Sequence, residues 1–259
     1  MSNHNKRNSG STAILLVLAM ICMGALTAPA ADLDPALQKI VDYRFGESSE
    51  ALTIVEDMVR EARGNSTGLL ELEKQFAAIL SSDATYDCKE FICRQLWLMG
   101  TKESVPSLSK LLGNQETSDI ARYALECNLS PEAGRALRGA LKNAEGLALI
   151  GIVNSLGERH DRESVGALSR LVSTWERDIL AEQKKKEAGE EKKGNDEKKI
   201  TSEDVAIAAV TALAKIGGVE AGKTLKDAKE FESPAIRNAA SKAFLLWADN
   251  FVSETAEDD

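Results

Sequence analysis

The sequence predicts an all-α protein, an α-solenoid of antiparallel helix pairs, and three observations lead there. The first is a leucine-centred ladder. Leu96, Leu125, Leu156 and Leu213, with Phe244 as last member, stand 29, 31, 57 and 31 residues apart, so all but one interval sit near a period of about 30. The second is a parallel ladder 12 residues downstream of the first four, Leu108, Leu137, Leu168 and Leu225, with the same intervals of 29, 31 and 57. Two ladders in step describe two helices per repeat, each pair burying its apolar face on its neighbours. The third is composition: aromatics are only 5 % of the chain, and alanine, leucine, glutamate and lysine dominate.

Columns around the first ladder show how such a stack is built. Four residues before each anchor come Ile92, Ala121, Ile152, Ala209 and Ala240, on the anchor's own helical face. One residue before come Gln95, Ala124, Ser155, Ala212 and Ala243, mostly small, which permits close helix approach. Two residues before come Arg94, Tyr123, Asn154, Thr211 and Lys242. None of these is aliphatic, so that column faces solvent or a partner.

Val205-Ala-Ile-Ala-Ala-Val-Thr-Ala-Leu-Ala-Lys-Ile-Gly-Gly218 resembles the second helix of a HEAT or HEAT-like repeat. Ser104-Val-Pro-Ser-Leu-Ser-Lys-Leu-Leu112 and Ser164-Val-Gly-Ala-Leu-Ser-Arg-Leu-Val172 resemble first helices of such repeats. The short period is nearer the HEAT-like repeats named after phycobilisome lyases than the longer eukaryotic units. The resemblance covers residues 85–250 well and 33–84 more loosely. It implies a HEAT-like superhelix whose second helices line the concave side, and it says little of function, because such arrays serve many unrelated ends.

In chain order, residues 1–30 read as a signal peptide. Lys6 and Arg7 form a positive start, Ala13–Leu26 an apolar run, and Ala28-Pro29-Ala30 a small-x-small cleavage site that places the mature start near Ala31. The rival is an uncleaved anchor, for which the run is short of the roughly 20 residues a spanning helix needs. Ile21 before Cys22 is too bulky for a lipoprotein site. Export implies a periplasmic or extracellular protein with no membrane span in its mature chain.

Residues 31–84 form N-terminal helical repeats or a cap. Asp34-Pro35 opens a first helix, with proline at a favoured early position. Leu52, Val55, Met58 and Val59 keep helical spacing in a second, Gly64-Asn65-Ser66 breaks it, and Leu69–Leu80 gives a third. Residues 85–250 carry the regular repeats, with Pro106 and Pro131 heading first helices and Gly100, Gly113 and Gly157 falling where turns belong. The Leu168–Leu213 interval then stretches to 45 residues, against 17 for Leu108–Leu125 and 19 for Leu137–Leu156. A charged insertion of balanced sign, about 175–201, accounts for the excess. It reads as a helical extension of the first helix that frays around Gly189 and Gly194, either a docking arm or a tolerated surface loop. Pro234 opens the last helix, and residues 251–259 form an acidic tail expected to fray.

The chain carries a formal charge of −9, and loss of residues 1–30 removes two cations and deepens it. An acidic surface repels phosphate backbones, which argues against nucleic acid as a partner. Parts for catalysis are scarce. Of two histidines His4 lies in the export segment, and His160 stands alone at a turn between helices. The paired His-Glu steps of HEAT-type hydroxylases, Gly-rich phosphate loops, nucleophile elbows and zinc spacings are all missing. No catalytic, cofactor-binding or metal residue is therefore assigned. Cys88, Cys93 and Cys127 remain in the mature chain, an odd number. Pairing of Cys127 with Cys88 or Cys93 is conceivable in an oxidising compartment, and burial of Cys93 and Cys127 as small hydrophobes is the alternative. Cys88 and Cys93 project about 140° apart on a helix, which disfavours a shared metal.

These readings converge on a non-enzymatic scaffold or accessory module that binds protein through the ridge of second helices. The expected contact residues are Arg94, Tyr123, Asn154 and Lys242, with Trp97 and Arg122 beside them. The lyase-type resemblance supplies the alternative, a cofactor- or chromophore-handling protein.

Overall fold

Helix starts follow the local chemistry of the chain. Pro35, Pro131 and Pro234 open helices and Pro106 is the second residue of another, where a missing amide hydrogen costs nothing. Asp34, Asn65 and Thr85 each accept a hydrogen bond from a first-turn amide, those of Ala36, Gly68 and Cys88. Thr201 and Asp204 close a reciprocal capping box at the helix after the insertion.

The computed structural model describes residues 33–187 and 200–257, and its regular structure is entirely helical over them. The elements are α1 (Pro35–Gln38), α2 (Glu50–Glu61), α3 (Ser66–Leu80), α4 (Tyr86–Met99), α5 (Val105–Leu112) and α6 (Ser118–Cys127). They continue with α7 (Pro131–Ala140), α8 (Gly146–Glu158), a 3-10 turn (Arg162–Ser164), α9 (Val165–Glu187), α10 (Ser202–Ile216), α11 (Val219–Ala228) and α12 (Pro234–Glu257). The proposed signal peptide lies outside the described residues. Among the described residues no helix is long and apolar enough to cross a membrane.

Helices pack in two interleaved series. α4 packs on α6, α6 on α8, α8 on α10 and α10 on α12, while α3 packs on α5, α5 on α7, and α9 on α11. Cross-contacts join α3 to α4, α5 to α6, α7 to α8, α9 to α10 and α11 to α12. Both ladders face inward. Leu96, Leu125, Leu156 and Leu213 are buried, as are Leu108, Leu137, Leu168 and Leu225, and Phe244 is half-buried. The columns four and one residues before the first ladder are buried at every member. One core runs from Leu37 to Leu156 and a second from Val153 to Ala243. α8 is their common wall, with Ile152 and Leu156 in the first and Val153 in the second.

α1 is a single turn, and the segment after it reaches the start of α4: the Val41 and Tyr43 carbonyls accept from the Thr85 amide (3.1 Å) and hydroxyl (2.5 Å). Two expectations need correction. Trp175 belongs to the core and not to the insertion; it is buried and stacked on Phe231, with centroids 6.2 Å apart. The extension of α9 beyond it is helical through Glu187, as its composition predicts, whereas residues 188–199 lie outside the described residues. α12 continues as helix to Glu257, so most of the acidic tail prolongs the last helix.

Candidate functional site

The polar column two residues before the anchors is exposed on every helix that carries it: Arg94 on α4, Tyr123 on α6, Asn154 on α8, Thr211 on α10 and Lys242 on α12. Helical spacing alone does this, since the anchor and its i−4 neighbour point into the core and position i−2 points away from both. α4 and α6 turn this ridge into a concave site. A groove of about 400 Å³ lies between them, lined by Glu90, Cys93, Arg94, Asp119, Ile120 and Tyr123. Tyr123 stacks on Trp97 across the two helices, ring centroids 5.7 Å apart and planes 15° from parallel. Both rings stay partly open to solvent, at 48 % and 38 %. Large aromatics left at the surface as a stacked pair offer broad, rigid contact area.

The groove's charge is unevenly answered. Glu90 pairs with Arg94 along α4 at 2.6 Å, an exposed i,i+4 contact. Asp119, in the first turn of α6, is exposed and has no ion pair within 4 Å among the described residues. Two neighbouring groups register the resulting negative field. The Tyr86 phenol is pushed upward, first by burial and then by Asp119, Glu90 and Asp87. Burial pushes the Cys93 thiol up to about 12, with Asp119 and Glu90 adding to it.

The sequence named Arg94, Trp97 and Tyr123, and these three come together. Asn154 and Lys242 sit on other helices of the same ridge. Arg122 is half-buried and turns away from the groove. Its guanidinium lies on α8 against Gly151, where a Cβ would meet the guanidinium carbon at 2.3 Å. Burial lowers its pKa, and its Nε has no hydrogen-bond partner. Glu90, Cys93, Asp119 and Ile120 were not named. A signal for the two acids was present: one turn before the polar column the residues read Glu90, Asp119, Ile150, Ile207 and Asn238. Acids thus occupy this position only on α4 and α6, and the ridge turns apolar at α8.

Several side chains reach main-chain oxygens of other helices or of the turns between them. Asn128 Nδ2 donates to the Thr101 carbonyl at 2.7 Å. Arg159 donates to the carbonyls of Leu125 (2.6 Å), Glu126 (3.1 Å), Asn128 and Ser130 (3.3 Å), answering the orphan oxygens at the end of α6. His160, at φ +50°, holds its Nδ1 2.5 Å from the Lys215 carbonyl at the end of α10. Trp247 Nε1 donates to Gly218 at 2.8 Å. Two carboxylates support the same junctions. Buried Glu73 accepts from the Thr101 amide (2.6 Å) and hydroxyl (2.8 Å) and from the Ser104 amide (3.1 Å), and Asp161 accepts twice from Arg138 (2.7 and 2.5 Å). His160 is thereby a junction residue, with Glu158 paired to Lys215 and Asp161 to Arg138.

Burial as a small hydrophobe holds for Cys93 and is corrected for Cys127. Cys88 and Cys93 are free and buried, and Cys127 is free and exposed beside Trp97. Among the described residues no three His, Cys, Asp or Glu side chains gather as a metal site. A second open groove, about 930 Å³, runs beside the α7–α8 turn, with Leu112, Ala136, Ala140, Leu147 and Ile200 among its walls. No protein-family model matches the chain, and comparison with curated proteins finds no significant match.

Proposed function

We propose that this chain is an exported, non-enzymatic HEAT-like solenoid that binds a protein partner along the ridge formed by α4, α6, α8, α10 and α12. The single observation that carries the reading is the groove between α4 and α6, flanked by the half-exposed Trp97–Tyr123 stack and set in a column of exposed, non-aliphatic side chains. Paired aromatics beside charged groups are the usual anchors of protein recognition. The order of helix contacts, with α4, α6, α8, α10 and α12 in one series and α3, α5 and α7, then α9 and α11, on the other side, supports the solenoid. The engagement of His160 with a main-chain oxygen supports a structural role for the histidine most available for acid–base chemistry. Lys6, Arg7 and the apolar run to Leu26 support export.

Site-specific photo-cross-linking in the native host tests the reading. A photoreactive phenylalanine analogue placed at Arg94, Tyr123, Asn154 or Thr211 is expected to trap one and the same protein. The same analogue at Lys110 or Lys226, on α5 and α11, is expected to trap none. Equal trapping from both sets, or from neither, refutes a ridge-specific partner. N-terminal sequencing of the secreted or periplasmic protein is expected to start at Ala31, and recovery of the intact N-terminus from the cytoplasm removes export from the proposal.

A further inference from the structure

The ridge differs in chemistry along its length, and this singles out what the α4–α6 groove holds. On α8 and α10 the exposed column is uncharged, Asn154 and Thr211, with half-buried Ile150 and Ile207 one turn earlier. On α4 and α6 the same two positions give Arg94 with Glu90 and Tyr123 with Asp119. Arg94 takes Glu90, which leaves the Asp119 carboxylate exposed and unpaired at the groove while Tyr123 presents a ring beside it. Arg122, three residues further along α6, feels the Asp119 charge but turns its guanidinium to Gly151 on α8 and forms no ion pair with Asp119 within 4 Å. Asp87, at the same end of α4, accepts the Phe45 amide at 3.0 Å and adds its charge without closing the groove. A concave site of about 400 Å³ with an unanswered carboxylate and an aromatic wall suits a planar cation on an extended chain.

Resting on the scaffold reading, we infer that the α4–α6 groove receives an arginine side chain from an extended segment of the partner, its guanidinium paired with Asp119 and laid on Tyr123. Arginine fits better than lysine, because a planar fork can meet a carboxylate edge-on and an aromatic ring face-on together. The groove would act as a specificity pocket, and the less polar ridge over α8 and α10 would accept the rest of the segment with little demand on its sequence.

Fluorescence anisotropy with fluorescein-labelled heptapeptides tests this, using Gly-Ser-Gly-Xaa-Gly-Ser-Gly with Xaa as arginine, lysine, glutamine or glutamate. The arginine peptide is expected to bind saturably and about tenfold more tightly than the glutamine peptide, with lysine between them and glutamate weakest. Asp119→Asn and, separately, Tyr123→Ala are expected to lower arginine-peptide affinity about tenfold and severalfold. Both sites are exposed, and circular dichroism confirms that each variant is folded. Glu90→Gln is the second electrostatic variant and is expected to weaken binding as well. Raising salt from 50 to 500 mM is expected to weaken the arginine complex severalfold. The inference is overturned if no peptide binds at 1 mM, if the glutamate peptide binds as well as the arginine peptide, or if Asp119→Asn binds like the parent. The two readings fail separately. Cross-links at Asn154 and Thr211 without any at Arg94 and Tyr123 would sink the arginine pocket and leave the scaffold standing. Arginine-selective peptide binding with no ridge cross-links would do the reverse.

Discussion

Arg159 shows how much of this molecule depends on single polar side chains reaching main-chain atoms of another helix. One guanidinium answers carbonyls at the end of α6 that no helix bond can reach, and its cationic charge suits a helix C-terminus. Arg159→Met keeps much of the aliphatic volume and deletes the donors. It is expected to lower unfolding free energy by about 2 kcal/mol, measured by urea denaturation. Glu73→Ala is expected to cost a similar amount, about 2 kcal/mol, since the Thr101 and Ser104 amides at the head of α5 lose their acceptor. The buried thiols make a pH-dependent contribution of definite sign. Burial pushes Cys88 and Cys93 up to about 12, whereas an unfolded thiol ionises near 8.5. Folding is therefore favoured in full below about pH 8.5, and that part of the stability is lost as pH rises toward the folded values. Urea midpoints should fall between pH 8 and 10.5, less steeply in a Cys88→Ala/Cys93→Ala variant. In the native protein at pH 8 a thiol reagent should label Cys127 first, and Cys88 and Cys93 only on unfolding.

At the scale of the helix, α8 and α10 approach each other backbone to backbone. Gly157 faces Ala212 so closely that a Cβ would lie 2.9 Å from the Ala212 Cα, a backbone atom that cannot swing aside. Gly157→Ala is expected to destabilise by about 1–3 kcal/mol, which for a chain of this size lowers Tm by roughly 2–4 °C per kcal/mol. Calorimetry checks it, and an unchanged Tm would mean the two helices can part freely. The helices and their buried faces were legible in the sequence because leucine at a fixed spacing is a direct record of a repeated apolar stripe. The groove was half legible. Arg94 and Tyr123 fell out of the column arithmetic, and Trp97 stood one residue past its anchor. Asp119 and Glu90 sat one turn away, where a single column did not look. The turn of Arg122 away from the groove was not legible, because spacing cannot see that Gly151 leaves room beneath it for a folded-back arginine. Arg159 and Glu73 left no pattern, since their partners are carbonyls and amides, which every residue possesses. Trp175 was assigned to the insertion because its start was found by subtraction, and interval lengths carry no information about which residue still reaches the core.

Across the whole molecule, stability should be graded. α10 packs on α8, α9, α11 and α12, and most of its buried face is alanine, valine and leucine, whereas α1 is a single turn at the margin of the first core. Native-state hydrogen exchange is expected to find the slowest amides in α10 and the fastest among the described helices in α1. Uniform protection from α1 to α12 would contradict a molecule assembled from two cores sharing α8 as a wall. The ties from side chains to main-chain oxygens bear on how such a chain comes into being. Asn128, Arg159 and Trp247 each serve oxygens that lie earlier in the chain, so those junctions wait on residues not yet made. A polypeptide that emerges N-terminus first can coil each helix at once but cannot seal such a helix end until the later residue arrives. Its nascent end is thus left briefly open and pliant throughout synthesis.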